Sequence, residues 1–162
     1  MCDRPNILYV FTDQQSASTL SCMGNADLRT PAMDRLAAEG VMFATTYCTQ
    51  PLCTPCRGSM FSGLMPHECG TWRNGEHIRA ELRERSLGRV LSAAGYDCAY
   101  GGKWHVPEIA MPEDNEHGFR RICGFNDNDL APACLEFLRR HRDLPECEQR
   151  PFFLVASFDN PH

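Results

Sequence analysis

Seven residues stand out as able to act together on a tetrahedral oxyanion: Asp13, Gln14, Cys53, Arg57, Lys103, His105 and His162. Asp13 offers a carboxylate to a hard cation, and Gln14 beside it is uninformative by itself. Cys53 is a nucleophile-type side chain. Arg57 follows it by four positions, about one helical turn. Because helical side chains lean toward the N-terminus, its guanidinium can support the group at residue 53. A helix starting near Cys53 would add the positive potential of its own N-terminus. Lys103, His105 and His162 supply a further cation and two imidazoles. Singly, each residue has an ordinary reading. Asp13 can cap a turn, Cys53 and Cys56 can be inert thiols, and Arg57 can pair with a surface carboxylate. Lys103 and His105 can be solvated. What raises them above that is placement, since each group follows an apolar run or opens a helix.

The elements that must position them read as α/β. Residues 6–12 are continuously apolar at their centre, as in a strand buried on both faces of a parallel sheet. Thr30, Pro31 and Gly40 bracket a helix with Met33, Leu36 and Ala37 as its inward stripe. Residues 41–47 are expected to form a second strand, and a helix capped by Thr54 or Cys53, with Pro55 near its first position, ends at Gly63. Residues 64–81 are polar and irregular. Ser86 caps a helix with Leu87, Val90, Leu91 and Ala94 on one face, closed by Gly95, and residues 96–100 form a short strand. Residues 106–128 read as a long surface loop. A helix over 131–142 turns Ala131, Cys134, Leu135 and Leu138 inward, and residues 151–157 form a last buried strand. Open α/β sheets bind ligands at the carboxyl ends of their strands. Asp13 and Gln14, then Cys53 and Arg57, then Lys103 and His105, then His162 follow four such ends in order.

The 162 residues correspond to one domain or one piece of a larger one. A formal net charge of −5 argues against a global nucleic-acid-binding surface. No run approaches the ~20 apolar residues of a membrane helix. The N-terminus lacks a signal-peptide core and cleavage site, so the chain reads as cytoplasmic. Its ten cysteines are then expected to be reduced thiols rather than a disulfide framework. Cys53 and Cys56 form a CxxC with no second half to complete a zinc site. A buried strand followed at once by the chain end suggests a fold that is incomplete at its C-terminus.

The segment Cys53-Thr54-Pro55-Cys56-Arg57, followed by small residues up to Gly63, resembles the sulfatase signature Cys/Ser-x-Pro-x-Arg. Residues 5–14 resemble the first strand and metal motif of that family. Gly95-Tyr96 with Gly102-Lys103-Trp104-His105 resembles its second signature, and residues 151–162 resemble the strand that delivers a substrate-contacting histidine. The four blocks occur in family order and span the chain.

That resemblance implies a partial alkaline-phosphatase-like α/β fold, with residues 1–162 as the N-terminal part of a sulfatase catalytic domain. It implies a formylglycine made from Cys53 by a formylglycine-generating enzyme. The hydrated aldehyde would attack sulfur through one hydroxyl, and deprotonation of the other would expel sulfate. Asp13, Gln14 and the residue 53 oxygen would bind Ca²⁺, with Mg²⁺ or Mn²⁺ as possible substitutes. Lys103 and His162 would hold the ester, a small-molecule or saccharide sulfate, and His105 would assist release. No nucleic-acid or membrane partner is implied. The chain departs from the family where Gln14 replaces a common Asp and Cys56 a common Ser or Ala; the extra thiol could divert Cys53 into a disulfide. The family's later metal pair is missing, since neither Asp114-Asn115 nor Asp127-Asn128 follows a convincing strand, so the chain alone is expected to be inactive. Two alternatives remain open at this level beside a third, a non-catalytic remnant that folds poorly or acts only as a partner. One is a phosphonate or phosphate monoester hydrolase of the same superfamily. The other is a thiol–disulfide oxidoreductase using Cys53 and Cys56, in which the helix N-terminus lowers a thiol pKa.

Overall fold

The computed structural model describes residues 4–108, 111–112 and 116–162. The pair Asp114-Asn115 lies outside them. Among the described residues the strands are β1 (Ile7–Phe11), β2 (Asp97–Gly102), β3 (Arg120–Arg121) and β4 (Phe152–Ser157). They form one parallel sheet in the order β1-β4-β2-β3. The helices are α1 (Pro31–Glu39), α2 (Cys53–Ser62), α3 (Pro66–Cys69), α4 (Leu87–Ala93) and α5 (Asp127–Asp143). No helix among the described residues is long and apolar enough to cross a membrane.

β4 is central and fully buried, as its unbroken apolar run requires. The sheet is covered on both faces. One layer holds Phe61 of α2, Tyr100 of β2, Trp104, Phe119 and Phe153, with Leu87 and Leu91 of α4 packed against it. The other holds Ala99, Phe152 and Leu154 against Phe137, Cys134 and Leu138 of α5. Tyr100, Phe61 and Trp104 interlock as an aromatic wedge, Phe61 stacking on Trp104 with ring centroids 4.9 Å apart. The Trp104 indole N–H donates to the Val106 carbonyl at 2.8 Å. This fixes the backbone on both sides of Trp104, and so the bases of Lys103 and His105.

Several expectations fail for identifiable reasons. Residues 41–47 form no strand and are exposed throughout, Val41, Phe43 and Tyr47 by 80% or more. β-branched and aromatic composition favours a strand only where a sheet accepts it, and no described strand pairs with this segment. β1 is half-buried on one face, where Ile7, Tyr9 and Phe11 pack against the first layer, and exposed on the other at Leu8 and Val10. In α1 no residue is buried, and Leu36 is 68% exposed. Val90 in α4 and Leu135 in α5 are also exposed. In α5 the register is shifted, so that Leu130 and Phe137 are buried and Ala131 is exposed. The 64–81 stretch contains α3 and buries Cys69, Thr71 and Ile78. The 106–128 segment is not a purely surface loop, since it buries Val106, Met111 and Phe119 and contributes β3.

Two glycines are required by close approach. Gly102 has φ of +89°, and a Cβ there would stand 1.9 Å from the Ser157 carbonyl oxygen of the neighbouring strand. The chain can therefore turn Lys103 toward the sheet edge without leaving the ladder, its N–H still donating to Ser157 at 3.0 Å. At Gly58 a Cβ would lie 2.4 Å from the Thr71 hydroxyl, so glycine lets α2 seat against the segment after α3.

Candidate active site

α2 carries the signature. It opens at Cys53 with Leu52 as N-cap and closes at Gly63, whose φ of +70° provides the left-handed cap. Neither Thr54 nor Cys53 is the N-cap. The Asn74 carboxamide oxygen instead accepts the Thr54 backbone N–H at 3.0 Å, and the Thr54 hydroxyl donates to the His105 carbonyl at 2.8 Å. The start of α2 is thereby joined to the loop after β2.

Arg57, one turn into α2, is 3% exposed. Its Nη2 donates to Asp13 Oδ2 at 2.8 Å. Its Nη1 reaches the carbonyls of Lys103 and Trp104 and the Ser157 hydroxyl, and its guanidinium lies 5.2 Å from the Phe11 ring centroid. One planar fork thus ties the ends of β1, β2 and β4 to α2, a task suited to arginine. Lys103, 2% exposed, pairs with Asp13 at 3.0 Å and with Asp159 at 2.9 Å. The result is a chain of alternating charge, Arg57–Asp13–Lys103–Asp159. Burying such ions costs several kcal/mol each before pairing compensates. Desolvated, mutually paired titratable groups gathered in this way make the sheet edge a candidate functional site.

The titration behaviour follows from these contacts. Burial raises the Asp13 pKa, but the hydrogen bonds and charges of Arg57 and Lys103 outweigh it and hold the carboxyl below its usual range. Burial lowers the Lys103 pKa, but hydrogen bonds with Asp159 and Asp13 raise it on balance. His105 is lowered, first by burial and then by the Lys103 and Arg57 charges, which favours the neutral imidazole. Its Nδ1 is buried without a hydrogen-bond partner among the described residues, and its backbone is left-handed with φ of +54°. Burial pushes the Tyr100 hydroxyl up to about 12, and it donates to the Lys103 carbonyl at 2.6 Å.

The structure joins five of the seven expected residues, Asp13, Cys53, Arg57, Lys103 and His162, in one network, with the His105 imidazole beside it within reach of the Lys103 and Arg57 charges. The Cys53 thiol lies 3.7 Å from Asp13 Oδ1. His162 Nδ1 lies 3.4 Å from Lys103 Nζ and 3.6 Å from Asp159 Oδ1. Gln14 follows Asp13 in a left-handed conformation with φ of 56° and is exposed, so it borders the network rather than entering it. The strand expected at 41–47 is not what positions Cys53; the Arg57 fork and the Asn74 cap do that.

Residue-level reasoning missed Asp159, Asp127, Ser157, Thr54 and Asn74. Asp127 was considered only as a metal ligand. It is the first residue of α5 and accepts the backbone N–H groups of Asp159 and Asn160, both at 2.8 Å, and the Asn160 carboxamide at 2.6 Å. Burial raises its pKa, but these donors lower it on balance. Asp127 therefore shapes the loop that presents Asp159 and His162. The available signal was an acidic residue in the first turn of a helix, directly after Asn126. Asp127→Ala is expected to lower stability by roughly 1–3 kcal/mol through orphaned backbone donors. Thermal unfolding checks the loss, and faster amide exchange at Asp159 and Asn160 checks its origin.

The Cys53 thiol faces Asp13. Burial, followed by the charge of nearby Cys48, pushes the Cys56 thiol up.

Comparison with known proteins gives the same picture. The Sulfatase family model matches residues 5–162. The uncharacterized sulfatase YidJ of Escherichia coli K12 is 38% identical over 194 aligned positions, covering 98% of this chain and 39% of YidJ. The putative sulfatase yidJ from Bacteroides fragilis superposes with a TM-score of 0.85 at 22% identity, covering 98% of this chain and 44% of that one. BT4656 in complex with its substrate D-glucosamine-2-N,6-O-disulfate superposes with a TM-score of 0.78 at 24% identity, covering 99% and 35%. The chain thus spans well under half the length of these proteins. Its fold is that of their shared α/β core, and the chain belongs to the sulfatase family.

Proposed function

We propose that this chain is the nucleophile-bearing part of a sulfuric ester hydrolase acting on a small-molecule or saccharide sulfate. The supporting observation is the meeting of Cys53, Asp13, Arg57 and Lys103 at one sheet edge. In this reading a formylglycine-generating enzyme matures Cys53, and the resulting hydrated aldehyde supplies the nucleophile. Arg57 holds Asp13 and the start of α2 in register. Lys103, with its charge maintained by two carboxylates, and His162 bind sulfate and leaving-group oxygens. His105, favoured neutral, accepts a proton during product release.

Asp13 and Gln14 would provide hard oxygens to a divalent cation, Ca²⁺ by preference, which would polarise the ester. Their chemistry fits, but their number is small: no group of three or more His, Cys, Asp or Glu side chains among the described residues could hold a metal. A six- to eight-oxygen shell therefore needs ligands beyond these two.

The substrate class is tested by parallel assays on an aryl sulfate and an aryl phosphonate, using native-length protein coexpressed with a maturation enzyme. Sulfate should be the preferred substrate. Preference for the phosphonate would assign the site to phosphorus esters, and turnover of neither would overturn the hydrolase reading.

A further inference from the structure

The chain leaves β2 around Lys103 through two left-handed positions, Gly102 with φ of +89° and His105 with φ of +54°. Side chains hold the peptide between them. The Lys103 carbonyl accepts from the Tyr100 hydroxyl at 2.6 Å, from the Ser157 hydroxyl at 2.7 Å and from Arg57 Nη1. Ser157, the last residue of β4, grips Lys103 at a second point, its own carbonyl accepting the Lys103 N–H at 3.0 Å. Tyr100 and Ser157 are both fully buried. A carbonyl has two lone pairs, so three donors exceed what satisfying a buried acceptor requires. Arg57 is committed to Asp13 as well, whereas both hydroxyls direct their protons at this one carbonyl.

Lys103 is the one lysine in the 162 residues, the other fixed cations all being arginine. Its side chain is a flexible four-carbon stem, yet its ammonium sits between Asp13 and Asp159. A stem that supple keeps one position only if its root is fixed.

We propose that Tyr100 and Ser157 are positioning residues for Lys103, their hydroxyls locking the peptide at its root so that the ammonium stays at the sheet edge for the sulfate oxygens. This rests on the reading of Lys103 as an ester-binding group. Both residues act through Lys103, since its carbonyl takes their protons. Tyr100→Phe and Ser157→Ala each remove one oxygen and leave every charge of the site in place.

The test reads Lys103 directly. In the full chain a single lysine can react with acetic anhydride, and peptide mapping separates it from the N-terminal amine. Wild-type Lys103, 2% exposed, should react slowly. In the folded double variant Tyr100→Phe/Ser157→Ala its acetylation should speed up by about 10–100-fold, the scale of two lost hydrogen bonds. Phe137→Leu weakens the packing of the opposite layer; it should leave the rate near wild type, and so controls for lost stability. In matured protein of native length, kcat/KM for an aryl sulfate should fall by a comparable factor in the double variant and little in Phe137→Leu. If the double variant fails to fold, the single variants carry the same comparison, each with an intermediate rate. Lys103 as protected as in the wild type, or equally reactive in Phe137→Leu, would overturn the proposal. A wild type that turns over no ester would instead overturn the hydrolase reading, and the acetylation rates would still decide whether the two hydroxyls hold Lys103.

Discussion

Replacing Arg57 with alanine should remove a large share of the molecule's stability. The side chain is buried and donates to Asp13, Ser157 and two carbonyls. Its removal leaves the Asp13 carboxylate buried with Lys103 as its one remaining cation among the described residues and takes a donor from the Trp104 carbonyl and the Ser157 hydroxyl. Breaking a buried pair this way costs about 3–5 kcal/mol, against a total stability of roughly 5–15 kcal/mol for a domain. Urea unfolding measures the loss. A double-mutant cycle with Asp13→Ala assigns its cause. If the orphaned carboxylate dominates, the double variant should be less destabilised than the sum of the singles, and strict additivity would refute that attribution. Arg57→Lys should recover part of the charge but not the fork, because one ammonium cannot span Asp13, Ser157 and the carbonyls together.

The same contact sets an acid limit. The folded pKa of Asp13 lies below its unfolded value, so its contribution is fully present above the unfolded value, near ~3.9. It is lost as pH falls through the folded value. Arg57→Lys weakens the partner that depresses the folded pKa, so acid unfolding should begin at higher pH than in the wild type. An unchanged acid midpoint would show that Lys103 alone sets the shift.

What could be read from the residues, and what could not, divides along physical lines. β4 was legible because an unbroken apolar run carries its own burial pattern. α2 was legible because Pro55, Gly63 and the four-residue step from Cys53 to Arg57 are local signals. Residues 41–47 misled because composition reports a willingness to form a strand, whereas the strand itself requires a neighbour. The site residues emerged as a set of strand-end groups, yet their wiring did not. That Asp159 would be the second carboxylate on Lys103, or that Asp127 would shape the loop holding it, depends on contacts between segments far apart in sequence.

Substitution at Cys53 should separate chemistry from folding more sharply than any other change. Its thiol is only partly buried and makes a long, weak contact with Asp13 at 3.7 Å, so Cys53→Ala should alter stability by less than about 1 kcal/mol. Turnover of an aryl sulfate by native-length, matured protein should fall by on the order of 10⁴–10⁶, the scale for loss of a nucleophile that works with its partners as a unit. Cys53→Ser discriminates further. A serine hydroxyl can attack a sulfate ester once, but the resulting serine sulfate has no second hydroxyl on the same carbon to expel the group. At most one equivalent of alcohol per protein should be released, with a sulfated residue 53 detectable by peptide mass. Sustained turnover by either variant would remove residue 53 from the chemistry. Wild-type protein that turns over with its residue 53 still a thiol would remove the aldehyde, leaving the Asp13–Arg57–Lys103 network to be explained as a site with a different nucleophile.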